Sequence, residues 1–186
     1  VLFRSGEDSF IKGFMVELMK SFTVGSVEMT DFCFTGYSMT QDENGITVTQ
    51  HKYQQLMDME KFKLLKDQGD APNDQVLSDS LQKVFRSALG ALQWLAYNTQ
   101  PHNAYAACYL AGRAGVATVR DGKDLYKILN NAKNDDSVTY YPNLGEPEEW
   151  QLMGFADASM NQSVKKGSYI ADVMVLTGNN RACIID

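Results

Sequence analysis

Asp157 is the first residue to weigh for chemistry. It closes the apolar run "QLMGFA" of residues 151–156 and precedes the small polar stretch "ASMNQS". A carboxylate can ligate a divalent cation or move a proton. Metal-assisted phosphodiester chemistry, however, needs two cations a few ångströms apart, gripped by several carboxylates from different elements. Aspartate at a strand end is also common for purely local reasons, because its side chain accepts backbone N–H groups of the following turn. On pattern alone Asp157 is a turn former.

The second set of candidates is basic. Arg113, Arg120, Lys123, Lys127 and Lys133 stand against Asp121 and Asp124, a local positive excess in a chain of formal net charge -6. Arg120, Lys123 and Lys127 fall at i, i+3 and i+7, on one face of a helix. Such a face can contact a phosphate backbone, and the same spacing fits a solvated face flanking a buried stripe. Without other information the solvated face is the reading favoured.

Other reactive side chains point to packing. Cys33, Cys108 and Cys183 are odd in number, far apart and without a C-x-x-C pair, which argues against a disulfide scaffold or a zinc centre and for small apolar side chains in a reducing compartment. His51 and His102 lack a carboxylate and nucleophile beside them, and Trp94 and Trp150 fit core positions better than base-stacking platforms. The chain has no Gly-rich phosphate loop, G-x-S-x-G, H-E-x-x-H or calcium-loop signature.

These residues must be positioned by a chain that is 44% hydrophobic, enough to bury a real core in one or two domains. Its acidity excludes a protein that coats nucleic acid or anionic membrane over its whole surface. No apolar run approaches the roughly 20 residues that span a bilayer, and no leader pattern is present, so the expectation is a soluble intracellular protein without a membrane partner. The opening "VLF" and closing "RACIID" read as strand material cut within an element, as in a fragment of a longer polypeptide.

Periodicity supplies the elements. In "EDSFIKGFMVELMKSF" the residues Phe10, Ile11, Phe14, Met15, Leu18 and Phe22 fall at helical spacing, with Asp8 or Ser9 as N-cap and Gly25 as a stop. Two strand-like runs then flank Asp42-Glu43-Asn44-Gly45, a hairpin signal. "HKYQQLMDMEKFKLL" returns to helical spacing through Tyr53, Leu56, Met57 and Phe62. Residues 67–77 are polar, contain Gly69 and Pro72, and read as a linker.

Three helices follow over residues 78–136. Asp79 and Gln82 look like a capping pair opening the first, which Pro101 ends. The alanines 104, 107, 111 and 114 let the second pack closely against it as an antiparallel hairpin. Thr118 and Asp121 cap the third, whose buried face is Val119, Leu125, Ile128, Leu129 and Ala132. Residues 137–186 then change period to "SVTYYP", "EWQLMGFAD" and "GSYIADVMVLTG", successive antiparallel strands. The fold class predicted is α+β.

Three stretches together resemble the Pol polyprotein of copia-type LTR retrotransposons. "GITVTQHKY" (45–53) is similar to the family's Gly-Ile-x-(Leu/Val)-(Ser/Thr)-Gln-x-Lys-Tyr, after the polymerase palm. "FRSALGALQWLAYNTQP" (85–101) is similar to (Tyr/Phe)-Arg-Ser-x-x-Gly-x-Leu-x-(Tyr/Trp)-Leu-Ala-x-x-Thr-Arg-Pro. "GFADASMNQ" (154–162) is similar to the Tyr-Ser-Asp-Ala-(Asp/Ser) strand that opens its ribonuclease H. Order and spacing fit across nearly the whole chain.

The resemblance implies a C-terminal reverse transcriptase segment with a β-hairpin and helices (1–66), a linker (67–77), a three-helix connection (78–136) and the first antiparallel strands of a truncated RNase H-like sheet (137–186). It makes Asp157 the first carboxylate of a magnesium-dependent ribonuclease H site. The partner implied is an RNA–DNA hybrid or template-primer duplex, near Arg113, Arg120, Lys123 and Lys127. It further implies residence in a cytoplasmic retroelement particle or the nucleus. The polymerase Tyr-x-Asp-Asp would precede Val1 and the remaining ribonuclease H acids would follow Asp186, so the chain alone is predicted inactive. Gln100 and His102 stand where the family has an oppositely charged Arg and Asp, as in a divergent lineage or a decaying copy. The alternative reading is a non-catalytic helical interaction module.

Overall fold

The computed structural model describes residues 8–28, 30–161 and 167–185. It is an α+β arrangement of six α-helices and two small antiparallel sheets. The strand-like opening at residues 1–3 lies outside the described residues, and Asp8 and Ser9, the expected caps, fall inside the first helix. That helix, α1 (Asp8–Ser21), forms where the apolar periodicity predicts it, yet it buries only Ile11 among its described side chains and leaves Phe10 70% exposed.

The first sheet runs in the order β1 (Asp31–Phe34), β2 (Tyr37–Gln41), β3 (Gly45–Thr49), β4 (Thr139–Pro142). The Asn-Gly hairpin joins β2 to β3 as predicted, and Asp42 Oδ1 accepts the N–H groups of Asn44 (2.8 Å) and Gly45 (3.0 Å) to shape the loop. A second, tighter hairpin joins β1 to β2, because Thr35 and Gly36 both take positive φ (48° and 92°), which matches the twist of paired strands. The run before Asp42 is therefore two strands.

The single helix predicted after β3 is two short ones, α2 (His51–Leu56) and α3 (Met59–Lys63). Asp58 breaks it: the carboxylate accepts the N–H groups of Glu60 (3.1 Å) and Lys61 (3.4 Å) and starts a new helix. The second half of the polar segment that follows is docked on the start of α6 and the residues before it. Leu77 N–H donates to Ala117 O (2.9 Å), and Gln75 and Asn73 carbonyls receive the N–H groups of Val119 (2.9 Å) and Arg120 (3.0 Å).

α4 (Asp79–Ala96) is the central helix, burying Phe85, Ala88, Leu89, Ala91, Leu92, Leu95 and Ala96. The Asp79–Gln82 cap does not form. Ser78 holds the N-cap position instead, and Gln82 turns inward, where its Nε2 donates to Ala117 O (3.0 Å). A 3-10 turn at Pro101–Asn103 leads into α5 (Ala104–Ala111), which returns along α4 and buries Ala107 and Leu110. α6 (Val119–Lys133) has the predicted capping box, with Thr118 and Asp121 bonded reciprocally, and buries Val119, Leu125, Leu129 and Ala132. It passes closely over the turn that follows α3 at Gly122, where a Cβ would lie 3.3 Å from Leu65 O. Phe85, Leu65, Leu92, Leu95, Leu125 and Leu129 are fully enclosed, each contributing about 1.5–3 kcal/mol of burial.

Beyond α6 the chain departs from a simple meander. β4 adds to β3 with Gly45 opposite Pro142, completing the first sheet, so it does not share a sheet with the strands that follow. The second sheet, β5 (Gln151–Asn161), β6 (Gly167–Gly178) and β7 (Arg181–Ile184), pairs in chain order. Its β6–β7 turn places Asn179 and Asn180 at φ 48° and 56°, the left-handed region that asparagine tolerates.

Candidate nucleic-acid face and the Asp157 strand

Asp157 lies within β5, opposite Ala171 of β6, and is exposed. It is therefore a mid-strand residue and not the start of a turn. Asp172, an acid of the neighbouring strand, pairs with Ala156. Side chains alternate across a strand, so Asp157 and Asp172 project from opposite faces of the sheet. Among the described residues no group of three or more His, Cys, Asp and Glu could hold a metal ion. The described residues therefore do not make a two-magnesium centre.

The basic positions are unequal. Arg113 is committed: its Nε donates to Asp121 Oδ1 at 2.8 Å, tying the α5–α6 connection to the first turn of α6. Burial alone would raise the Asp121 carboxyl pKa, but hydrogen bonds from Thr118 and Arg113 outweigh it and hold the group below the usual carboxylate range. Lys123 Nζ reaches Asn73 Oδ1 at 3.3 Å, and Lys133 Nζ donates to Met57 O. Arg120 and Lys127 are exposed, so they are the members of the predicted face that present charge to solvent. Lys66 joins them from beyond α3, with its Nζ 5.4 Å from the Tyr126 ring centroid.

A cluster of buried amides binds the first sheet to the helices. Gln50, at the end of "GITVTQ", is fully enclosed; its Oε1 accepts Thr99 Oγ1–H (2.8 Å) and its Nε2 donates to Trp94 O (3.3 Å). Gln54 and Gln100 both donate through Nε2 to Ala132 O, at 2.9 Å and 2.8 Å, and Gln54 also reaches Asp135 O at 2.7 Å. Asn103 in turn donates to Gln100 Oε1 at 3.0 Å. His102 Nε2 lies 3.3 Å from Asp135 Oδ2. Gln100 is thus satisfied on both its nitrogen and its oxygen. Sequence reasoning missed these roles; the only signal was a run of glutamines and asparagines at element ends.

No protein-family model matches the chain, and no match is found among curated proteins or solved structures. No helix among the described residues is long and apolar enough to cross a membrane.

Proposed function

We propose that the chain is part of a copia-type retrotransposon Pol polyprotein, running from the end of the reverse transcriptase through a helical connection into the ribonuclease H domain. The parent enzyme copies element RNA into DNA and degrades the RNA strand of the hybrid. The observation that carries the reading is the ordered set of three stretches at residues 45–53, 85–101 and 154–162. Support comes from the way the first two meet. Gln50 of the first accepts the hydroxyl of Thr99 of the second inside the core, so both belong to one packed unit.

In this reading the parent enzyme uses magnesium, Asp157 is one of its ribonuclease H ligands, and the others come from further acids of the family pattern. The nucleic-acid partner is held by its phosphates. The purified 186-residue chain is expected to cleave no RNA–DNA hybrid in magnesium buffer. The polypeptide encoded by the complete reading frame is expected to do so, and to lose that activity, while retaining DNA synthesis, on Asp157→Asn. Unchanged hybrid cleavage in that variant would sink the assignment of Asp157.

A second reading has its own observation: α4, α5 and α6 enclose a continuous core together with α3 and Leu77. A self-contained helical unit can serve as a non-catalytic interaction module, or persist in a decayed element. It predicts that the complete reading frame neither synthesises DNA nor cleaves hybrid.

A further inference from the structure

Charge is segregated along the chain. The helical unit, residues 78–136, carries seven Lys and Arg against five Asp, whereas the whole chain has 17 Lys and Arg against 23 Asp and Glu. One of those five, Asp121, is buried and bonded to Arg113. The helical unit therefore departs from the acidic balance of the chain, and free cations are found on it locally.

The most open part of that surface is the outer face of α4. Lys83, Arg86, Ser87, Gly90 and Tyr97 follow one another at helical spacing, and all are exposed. Lys83 and Arg86 form no ion pair among the described residues. Lys61 of α3 extends the face sideways, its Nζ 3.1 Å from Ser87 Oγ. Asp79, at the N-terminal end of the helix, is the one acid of α4.

Gly90 is the telling residue. It sits within an 18-residue helix, and a Cβ added there would meet nothing within 4 Å. Glycine inside a helix is less favourable than alanine, and no neighbouring atom requires it here. Its effect is to leave the α4 backbone open to close approach, one turn beyond Arg86 and beside Ser87.

We propose that the outer face of α4, with Lys61, is a docking track for the phosphodiester backbone of a nucleic-acid duplex. The inference rests on the nucleic-acid reading above and moves the principal contact from α6 to α4. The chemistry at the centre of the face favours phosphate. A guanidinium, two ammonium groups and a hydroxyl donate to phosphate oxygens, and the missing side chain at Gly90 admits a convex backbone. A protein hot spot would instead centre on a buried-type aromatic or aliphatic anchor, whereas Tyr97 lies at the end of the track.

Binding of the 186-residue chain to a short fluorescent RNA–DNA hybrid, followed by anisotropy across a salt series, tests this. The pair Lys61→Glu and Arg86→Glu is expected to weaken binding about tenfold and to flatten the slope of log affinity against log salt by about two. The pair Arg120→Glu and Lys127→Glu should have the smaller effect. Gly90→Ala is expected to raise Tm by about 2–4 °C while weakening hybrid binding, opposite signs that a purely structural glycine would not give. If hybrid is bound but the α4 reversals change neither affinity nor slope, this inference falls and the nucleic-acid reading stands. If the unaltered chain binds no hybrid at low salt, both fall. Equal binding of polyglutamate with the same salt slope would overturn the duplex assignment in favour of an acidic protein partner.

Discussion

The helical unit and the β5–β7 sheet are both rich in apolar residues but spend them differently. In the helical unit Phe85, Leu92, Leu95, Leu125 and Leu129 are wholly enclosed. In the sheet Leu152, Phe155 and Ile184 are 58%, 59% and 59% exposed, and Cys183 is the buried side chain of its described members. Register explains the contrast. Met153, Phe155, Val173, Val175 and Ile184 share one face, while Leu152, Met174, Leu176 and Cys183 share the other. A helix closes its apolar stripe against two neighbours. A sheet apolar on both faces needs a layer on each. Hydrophobic composition thus predicts where a core can form, and topology decides where it does.

The comparison breaks most readily in the core of the helices. Phe85→Ala should cost about 3–5 kcal/mol, read as a large fall in the denaturation midpoint. A loss below about 1 kcal/mol would mean that the enclosed and open regions are not energetically distinct. Next in size is Gln100→Leu, which removes a donor from Ala132 O and the acceptor of Asn103; a loss of about 1–3 kcal/mol in urea denaturation is expected. Thr118→Ala, which removes half of the α6 capping box, should cost about 1 kcal/mol.

Acid should act on the same helix start. The folded Asp121 carboxyl titrates below its ordinary value, so the unfolded chain binds its proton first as pH falls. The stability it supplies is present above the unfolded pKa and is lost as pH drops through the folded one. Chemical denaturation below neutral pH should show a falling midpoint that Asp121→Asn flattens. An identical acid limb in the variant would remove Asp121 from the account. The smallest effect is on the sheet: Phe155→Ala and Asp157→Asn should each change stability by no more than about 0.5 kcal/mol, which sharpens the contrast with Phe85.

Local signals were legible before the structure. The Thr118–Asp121 capping box, the Asn44-Gly45 hairpin and most of the buried face of α6 each rest on residues within a turn or two of one another. What the sequence hid is non-local. Asp58 breaks a periodic helix by competing for its N–H groups, and Gln82 abandons its cap for Ala117 O, a partner brought from beyond α5. The return of β4 to β3 depends on the length and packing of everything between them. The site was readable as residue types but not as availability. Arg113 and Lys123 looked as free as Arg120 and Lys127 until Asp121 and Asn73 were seen beside them. Asp157 stands out only through the resemblance, whereas its place on the opposite face from Asp172 is a matter of strand alternation.

The pairing of β3 with β4 also has a consequence for biosynthesis. β3 leaves the ribosome long before its partner, and at a translation rate of about 5–20 residues per second the roughly 90 intervening residues take about 5–18 s to follow. For that interval Gly45–Thr49 is an open edge, able to pair with neighbouring nascent chains. In the folded chain the amides of Gln54 and Gln100, both donating to Ala132 O, hold the end of α6 beside the first sheet, from which the chain returns to that edge. Ribosome-bound chains stalled after residue 133 should therefore show fast amide exchange on the open side of β3, and chains stalled well beyond residue 142 should show it protected.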